Sequence, residues 1–106
     1  MKVWIDDERE APSGWIWIKH PGFAISFIRE SWNKIEEISL DHDLGYELTG
    51  YDIVKDIEQV GHNIIVPFVI RVHSMNPVGR SNMLAGIGAI YNRNFEVMDE
   101  LDPFDD

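Results

Sequence analysis

Three short apolar runs in this chain each stop abruptly in polar residues. Val3-Trp4-Ile5 runs into Asp6-Asp7-Glu8-Arg9, Ile38-Ser39-Leu40 into Asp41-His42-Asp43-Leu44-Gly45, and Val69-Ile70-Arg71-Val72 into His73-Ser74-Met75-Asn76-Pro77. Short runs of this kind, rich in β-branched and aromatic residues, predict strands. Lys2 to Ile5 is the first strand and Glu36 to Leu40 the third. Between them, Trp15 to Ile18 is a strand at a sheet edge, reached through the turn-rich loop Glu10 to Gly14. A fourth strand begins near Pro67 and ends at Val72. Its nearly all-apolar surroundings predict a strand covered on both faces.

Other stretches switch to a helical period. Apolar residues at 23, 24, 27, 28 and 32 predict a helix over Phe23 to Asn33, after a break at His20-Pro21-Gly22. Ile53, Val54, Ile57 and Val60 predict a helix over Gly50 to Val60. Thr49 caps it, Asp52 lies in its first turn, and Gly61 ends it. Asn76-Pro77 starts a third helix, whose buried stripe is Met83, Leu84, Ile87, Ile90 and Tyr91. Asn94 to Met98 reads as a last short strand or a docked tail. Strands alternating with helices indicate an α/β fold, a small three-layer sandwich with a mostly parallel sheet and helices on both faces. Residues 1–93 make up this domain, and residues 94–106 form an acidic, solvated tail.

Composition narrows the function classes. At 106 residues, 44% of them hydrophobic, the chain suits one domain with a packed core rather than a disordered segment. The absence of cysteine excludes a disulfide frame, thiolate chemistry and a Cys-based zinc site, and it suits a reducing cytosol. The leading apolar run is too short for a signal peptide, and no stretch approaches a membrane span, so a cytoplasmic location is expected. Nineteen acidic against nine basic side chains give a net charge of −10. Such a surface repels a phosphate backbone, which argues against binding double-stranded DNA.

The acids are also unevenly placed. Asp6, Asp7, Glu8, Asp41 and Asp43 stand at strand ends, where ligands of parallel sheets bind. Carboxylates gathered there repel one another unless a cation lies between them, and hard oxygen donors suit Mg²⁺ or Mn²⁺. The third stretch offers an anion site: a helix start with Ser74 and Asn76, Gly79 allowing close approach, and Arg80. A cation in a first helical turn opposes the macrodipole, and a bound phosphate would compensate. His42 and His73, both at strand tips, are candidates for proton transfer, with Asp41 the central acid. His20 and His62 lie in loops and carry no such case. No P-loop, dinucleotide fingerprint or nucleophile elbow occurs.

Taken together, the motifs Trp4 to Arg9, Ser39 to Gly45 with Thr49-Gly50-Tyr51-Asp52, and His73 to Met83 resemble the cyclic-phosphate processing receiver-like domains. The resemblance spans Lys2 to about Ile90 and implies a reduced receiver-like, flavodoxin-like fold. Receivers hold Mg²⁺ with an acidic pair after the first strand, an aspartate after the third and a hydroxyl after the fourth. The matching residues are Asp6 and Asp7, Asp41, and Ser74. Two departures stand out. The last lysine is Lys55, inside the second predicted helix, so Arg80 would replace the receiver lysine, and the first receiver helix gives way to the Glu10 to Gly14 loop.

The resulting expectation is a metal-dependent phosphoesterase acting on cyclic phosphates of nucleotides or RNA ends. Asp6, Asp7, Asp41 and Asp43 would hold the metal, and Arg9, Ser74, Asn76, Gly79 and Arg80 the phosphate. The alternative is a module that sequesters a nucleotide without reaction, with a homodimer completing the pocket. A phospho-accepting receiver is a weaker third reading.

Overall fold

Four strands and three helices alternate along residues 1–101, the part of the chain described by the structure, a computed structural model. They are β1 (Lys2–Ile5), β2 (Trp15–Ile18), α1 (Pro21–Glu30), β3 (Glu37–Leu40), α2 (Gly50–Val60), β4 (Val69–Val72) and α3 (Pro77–Leu101). The sheet is wholly parallel, in the order β2-β1-β3-β4. This is a receiver-like α/β fold, and β2 sits at an edge, as expected of its aromatic and β-branched run. All four carboxyl ends point the same way, so the three polar motifs share one rim.

The register sorts the side chains by face. Val3 aligns with Ile16 and Ile38, and Ile38 with Ile70; Ile5 aligns with Ile18 and Leu40, and Leu40 with Val72. That face is aliphatic, and it shares one core cluster with Ala24 and Ile28 of α1, Ile53, Val54 and Ile57 of α2, and Met83, Ile87 and Ile90 of α3. Each such side chain removed from water contributes about 1.5–3 kcal/mol.

The opposite face carries Lys2, Trp4, Trp15, Trp17, Glu37, Ser39, Val69 and Arg71. No helix among the described residues adds its buried side chains there. The chain passes from β1 to β2 through residues 6–14 without a helix, and the reduction of the receiver plan is concentrated on this side. Side chains form the outer layer instead. Trp4 meets Trp15 edge to face at 6.0 Å, the Lys2 and Lys19 ammonium groups lie over Trp15 and Trp17, and Arg71 pairs with Glu37. β4 is correspondingly not covered on both faces: Val69 is 46% exposed and Arg71 faces water.

Several boundaries differ from the sequence reading for local reasons. α1 starts at Pro21, not Phe23, because the His20 Nδ1 accepts the amides of Gly22 and Phe23 and so caps the helix. Leu84 is 47% exposed, off the buried stripe set by Met83, Ile87 and Ile90. Residues 94–98 are neither strand nor loose tail but continue α3, anchored by Asn94, whose side-chain amide bonds both the N–H and the C=O of Val66. The tail residues Asp102, Asp105 and Asp106 lie outside the described residues. No helix among the described residues is long and apolar enough to cross a membrane.

β4 is an edge strand, and its outward backbone groups are met by α3. The Ile70 N–H donates to the Tyr91 hydroxyl (3.0 Å) and the Arg80 guanidinium to the Val72 carbonyl (2.9 Å). Side chains of one helix thus take part of the role of a neighbouring strand, blunting an edge open to unwanted pairing.

The α2 start is a complete capping box: Thr49 Oγ1 accepts the Asp52 amide, and the Asp52 carboxylate accepts the Thr49 amide at 2.7 Å. That amide bond lowers the Asp52 pKa below 3.8, with burial opposing and Thr49 Oγ1 and Lys55 assisting. A carboxyl lowered in the folded state adds stability above its unfolded pKa and loses it as the pH falls through the folded value. Asp52→Asn is therefore expected to be less stable than the parent at pH 6, by an amount in the capping range of about 0.5–2 kcal/mol. The gap should close as the medium is acidified below pH 3.8. Urea midpoints at several pH values would show it, and a gap constant down to strong acid would refute the carboxylate's role.

Candidate active site

Asp6 is the first residue past β1 and is 1% exposed. Its Oδ1 accepts the amides of Glu8 and Arg9, each at 2.8 Å, which folds the loop back over the strand end. Its Oδ2 meets His73 Nε2 at 2.9 Å. His73 is fixed from its other edge by Ser39 Oγ at 2.7 Å from Nδ1, and its ring stacks on Trp4 at 3.8 Å between centroids. Since an ionised carboxylate only accepts, Nε2 carries the proton. Burial pushes the Asp6 pKa up, but the amides of Arg9 and Glu8, with His73, more than offset this and hold it below the ordinary value. Asp6 is therefore a buried anion at neutral pH.

Asp7 and Asp41 bring a carboxylate to the same place, and one oxygen from each of Asp6, Asp7 and Asp41 lies within 4.8 Å of the others. Asp41 is oriented by its own loop, its Oδ1 accepting the His42 amide at 2.8 Å. Gly45, whose φ of +71° suits glycine, leaves room for Asp7; a Cβ there would stand 2.8 Å from Asp7 Oδ2. These acids open onto a pocket of about 380 Å³ lined also by Glu8, Arg9, Asp43, Gly45 and Met75.

This donor set fits a hard divalent cation. Three carboxylates converge, one fully buried and ionised, and Asp6 Oδ2 keeps a lone pair free beside its single bond to His73. Asp43 lines the pocket but belongs to a separate group at its rim. His42 Nδ1 lies 3.0 Å from Asp43 Oδ1, and Asn76 Nδ2 reaches the Asp43 carboxylate at 3.3 Å. The His42 hydrogen bond, helped by Asn76 and opposed by slight burial, lowers the Asp43 pKa.

Of the residues expected to bind phosphate, Ser74, Asn76, Gly79 and Arg80 stand outside the pocket lining. Ser74 is buried and accepts the Asn76 amide, and Asn76 Oδ1 accepts the Gly79 amide at 3.0 Å, so Asn76 caps α3 from within. A Cβ on Gly79 would overlap the His42 ring; that glycine makes room for the imidazole. The Arg80 guanidinium is turned to the Val72 carbonyl, whereas Arg9 lines the pocket and touches the His73 carbonyl only at 3.4 Å. Lys55 pairs with Asp52 and lies over Tyr51 within the α2 region.

Sequence reasoning missed the supports rather than the acids. Ser39, a small hydroxyl inside an apolar run, and Trp4 together hold His73. The alternation along β1 and β3 places both on the face opposite the core, and that was the available signal. Gly45 and Met75 were also missed as lining residues, whereas Glu8, one of the strand-end acids, does line the pocket.

The family model described as the cyclic-phosphate processing receiver domain matches residues 1–89. No curated protein and no solved structure matches the chain.

Proposed function

The chain belongs to the cyclic-phosphate processing receiver domain family, and on that premise we propose that it is a metal-dependent phosphoesterase that opens a cyclic phosphate of a nucleotide or RNA end. The observation that carries this reading is the meeting of three carboxylates from two strand ends on the wall of one pocket. Asp6, Asp7 and Asp41 would hold Mg²⁺ or Mn²⁺, which when bound supplies the positive charge that offsets the phosphoryl oxygens. Arg9 binds a non-bridging oxygen of the phosphate from the same wall.

Ring opening consumes one water. Its oxygen bonds to phosphorus, one phosphorus–oxygen bond to the sugar breaks, and the released sugar oxygen takes a proton, leaving a phosphate monoester. Asp43, ionised and steadied by His42 and Asn76, accepts the proton of the attacking water. His73 has both ring nitrogens engaged, and its part is to hold Asp6 Oδ2 in place.

That engagement of His73, with His42 beside the pocket rather than lining it, favours a second reading: a module that binds and sequesters the same ligand intact. One experiment separates the two. The protein is incubated with Mg²⁺ or Mn²⁺ and a panel of 2′,3′-cyclic and 3′,5′-cyclic nucleotides, and the products are resolved. Monoester formation that falls at least a hundred-fold in Asp41→Asn, with an unchanged melting profile, supports hydrolysis. Tight binding with the ligand recovered intact supports sequestration. Neither turnover nor binding would refute both.

A further inference from the structure

Next to the pocket, outside the residues that line it, stands an aromatic pair that neither the metal nor the phosphate needs. Tyr46 directly follows Gly45, a lining residue of the pocket, and its ring lies 4.4 Å from that of His20. His20 follows β2 and Tyr46 follows β3, while β1 lies between those strands. Contact between rings that follow β2 and β3 brings the pair near the carboxyl end of β1, where Asp6 and Asp7 stand. The pair is rigid on one side, since His20 Nδ1 caps α1 through the amides of Gly22 and Phe23. Its outer surface is open: Tyr46 is 54% exposed and His20 is exposed as well. On the pocket's other side, past β4, Met75 is 80% exposed and lines the cavity.

An inorganic phosphate on a cation would use neither the aromatic pair nor the thioether lip. A flat, apolar group joined to the phosphate would use both. We infer that the Tyr46–His20 pair is a stacking platform for the base of a nucleoside cyclic phosphate whose phosphate occupies the acidic pocket. This rests on the reading of the pocket given above and names what the ligand carries beside its phosphate. The net charge of −10 favours a mononucleotide over a polymer, because each further phosphate would meet an acidic surface. Stacking reads the π face that all bases share, so purines and pyrimidines would both be accepted.

The test compares adenosine 2′,3′-cyclic phosphate and adenosine 3′,5′-cyclic phosphate with glycerol 1,2-cyclic phosphate, which has no base, by titration calorimetry in Mg²⁺. The wild-type chain is expected to bind one of the nucleotides roughly ten-fold or more tightly than the glycerol compound, given the usual effect of removing a stacked aromatic. Tyr46→Ala should lose that preference while its affinity for glycerol cyclic phosphate stays within two-fold, and Tyr46→Trp should keep it. Tyr46→Leu, which preserves bulk without a π face, should behave as the alanine variant does and covers the case in which alanine disturbs the loop. Equal affinities in the wild type, or a nucleotide affinity untouched in Tyr46→Ala and Tyr46→Leu, would overturn the platform and leave the pocket reading standing. A wild-type chain that binds none of the three ligands would overturn both.

Discussion

Asp6→Ala is expected to lower the stability of the domain by about 3–5 kcal/mol and to abolish divalent-cation binding. Three donors converge on this carboxylate: the amides of Glu8 and Arg9 and the His73 Nε2. Removing a buried acceptor leaves each donor unsatisfied at about 1–3 kcal/mol, an effect that does not add fully where backbone can relax toward water. Against a typical total of about 5–15 kcal/mol, such a loss places the variant near the limit of folding. Asp6→Asn should be milder, because its carbonyl oxygen can still accept both amides, yet it forfeits the charge with which the proposed site would hold a cation. Urea unfolding of the two variants, read beside Mn²⁺ titration, tests both halves. An alanine variant within 1 kcal/mol of the parent, by the scale of a single lost hydrogen bond, would show that Asp6 does not anchor the loop.

Gly50→Ala should destabilise the domain by about 1–3 kcal/mol and weaken the proposed cation site, although alanine is by far the better helix former. The added methyl would run into the backbone carbonyl of Asp41 and come 2.8 Å from the Met83 sulfur. The methionine can move; the carbonyl belongs to the peptide that presents the Asp41 carboxylate. The following peptide is tied to the helix start as well, through the Gly50 amide bonded to the His42 carbonyl at 2.9 Å. Relief of the overlap must shift either the start of α2 or the Asp41 loop. Gly88→Ala is the control, since a Cβ there meets nothing within 4 Å, and it should stabilise by roughly 0.5–1 kcal/mol. If Gly50→Ala stabilised as Gly88→Ala does, the close approach would carry no weight.

The strand ends were the most legible part of this chain. An apolar run that halts in Asp-Asp or Asp-His-Asp states both where a strand stops and what it presents, and Asp6, Asp7 and Asp41 do converge. Helix α2 was equally plain, because the Thr49–Asp52 box is a local, reciprocal device. What escaped were relations settled by tertiary packing. The helix cap made by a histidine at position 20 is an uncommon choice, so Pro21 read as a breaker instead of a first helical residue. Arg80 suggested an anion because its charge opposes the helix dipole, but the open edge of β4 supplies a partner in the Val72 carbonyl. Gly79 suggested a phosphate cradle, and the space it leaves holds the His42 ring. In each case a nearby residue satisfied the oddity, and only the folded arrangement shows which neighbour it is.

The bond between Asp6 and His73 joins residues 67 positions apart. A ribosome releasing this chain has delivered Asp6, Asp7 and Asp41 well before the partner that steadies the first of them. Until β4 docks, the loop after β1 has lost one of its anchors, and a partly made chain should be a poor scavenger of cations. Maturation of the site would then coincide with completion of the sheet, so that an ion or nucleotide engages finished molecules in preference to nascent ones.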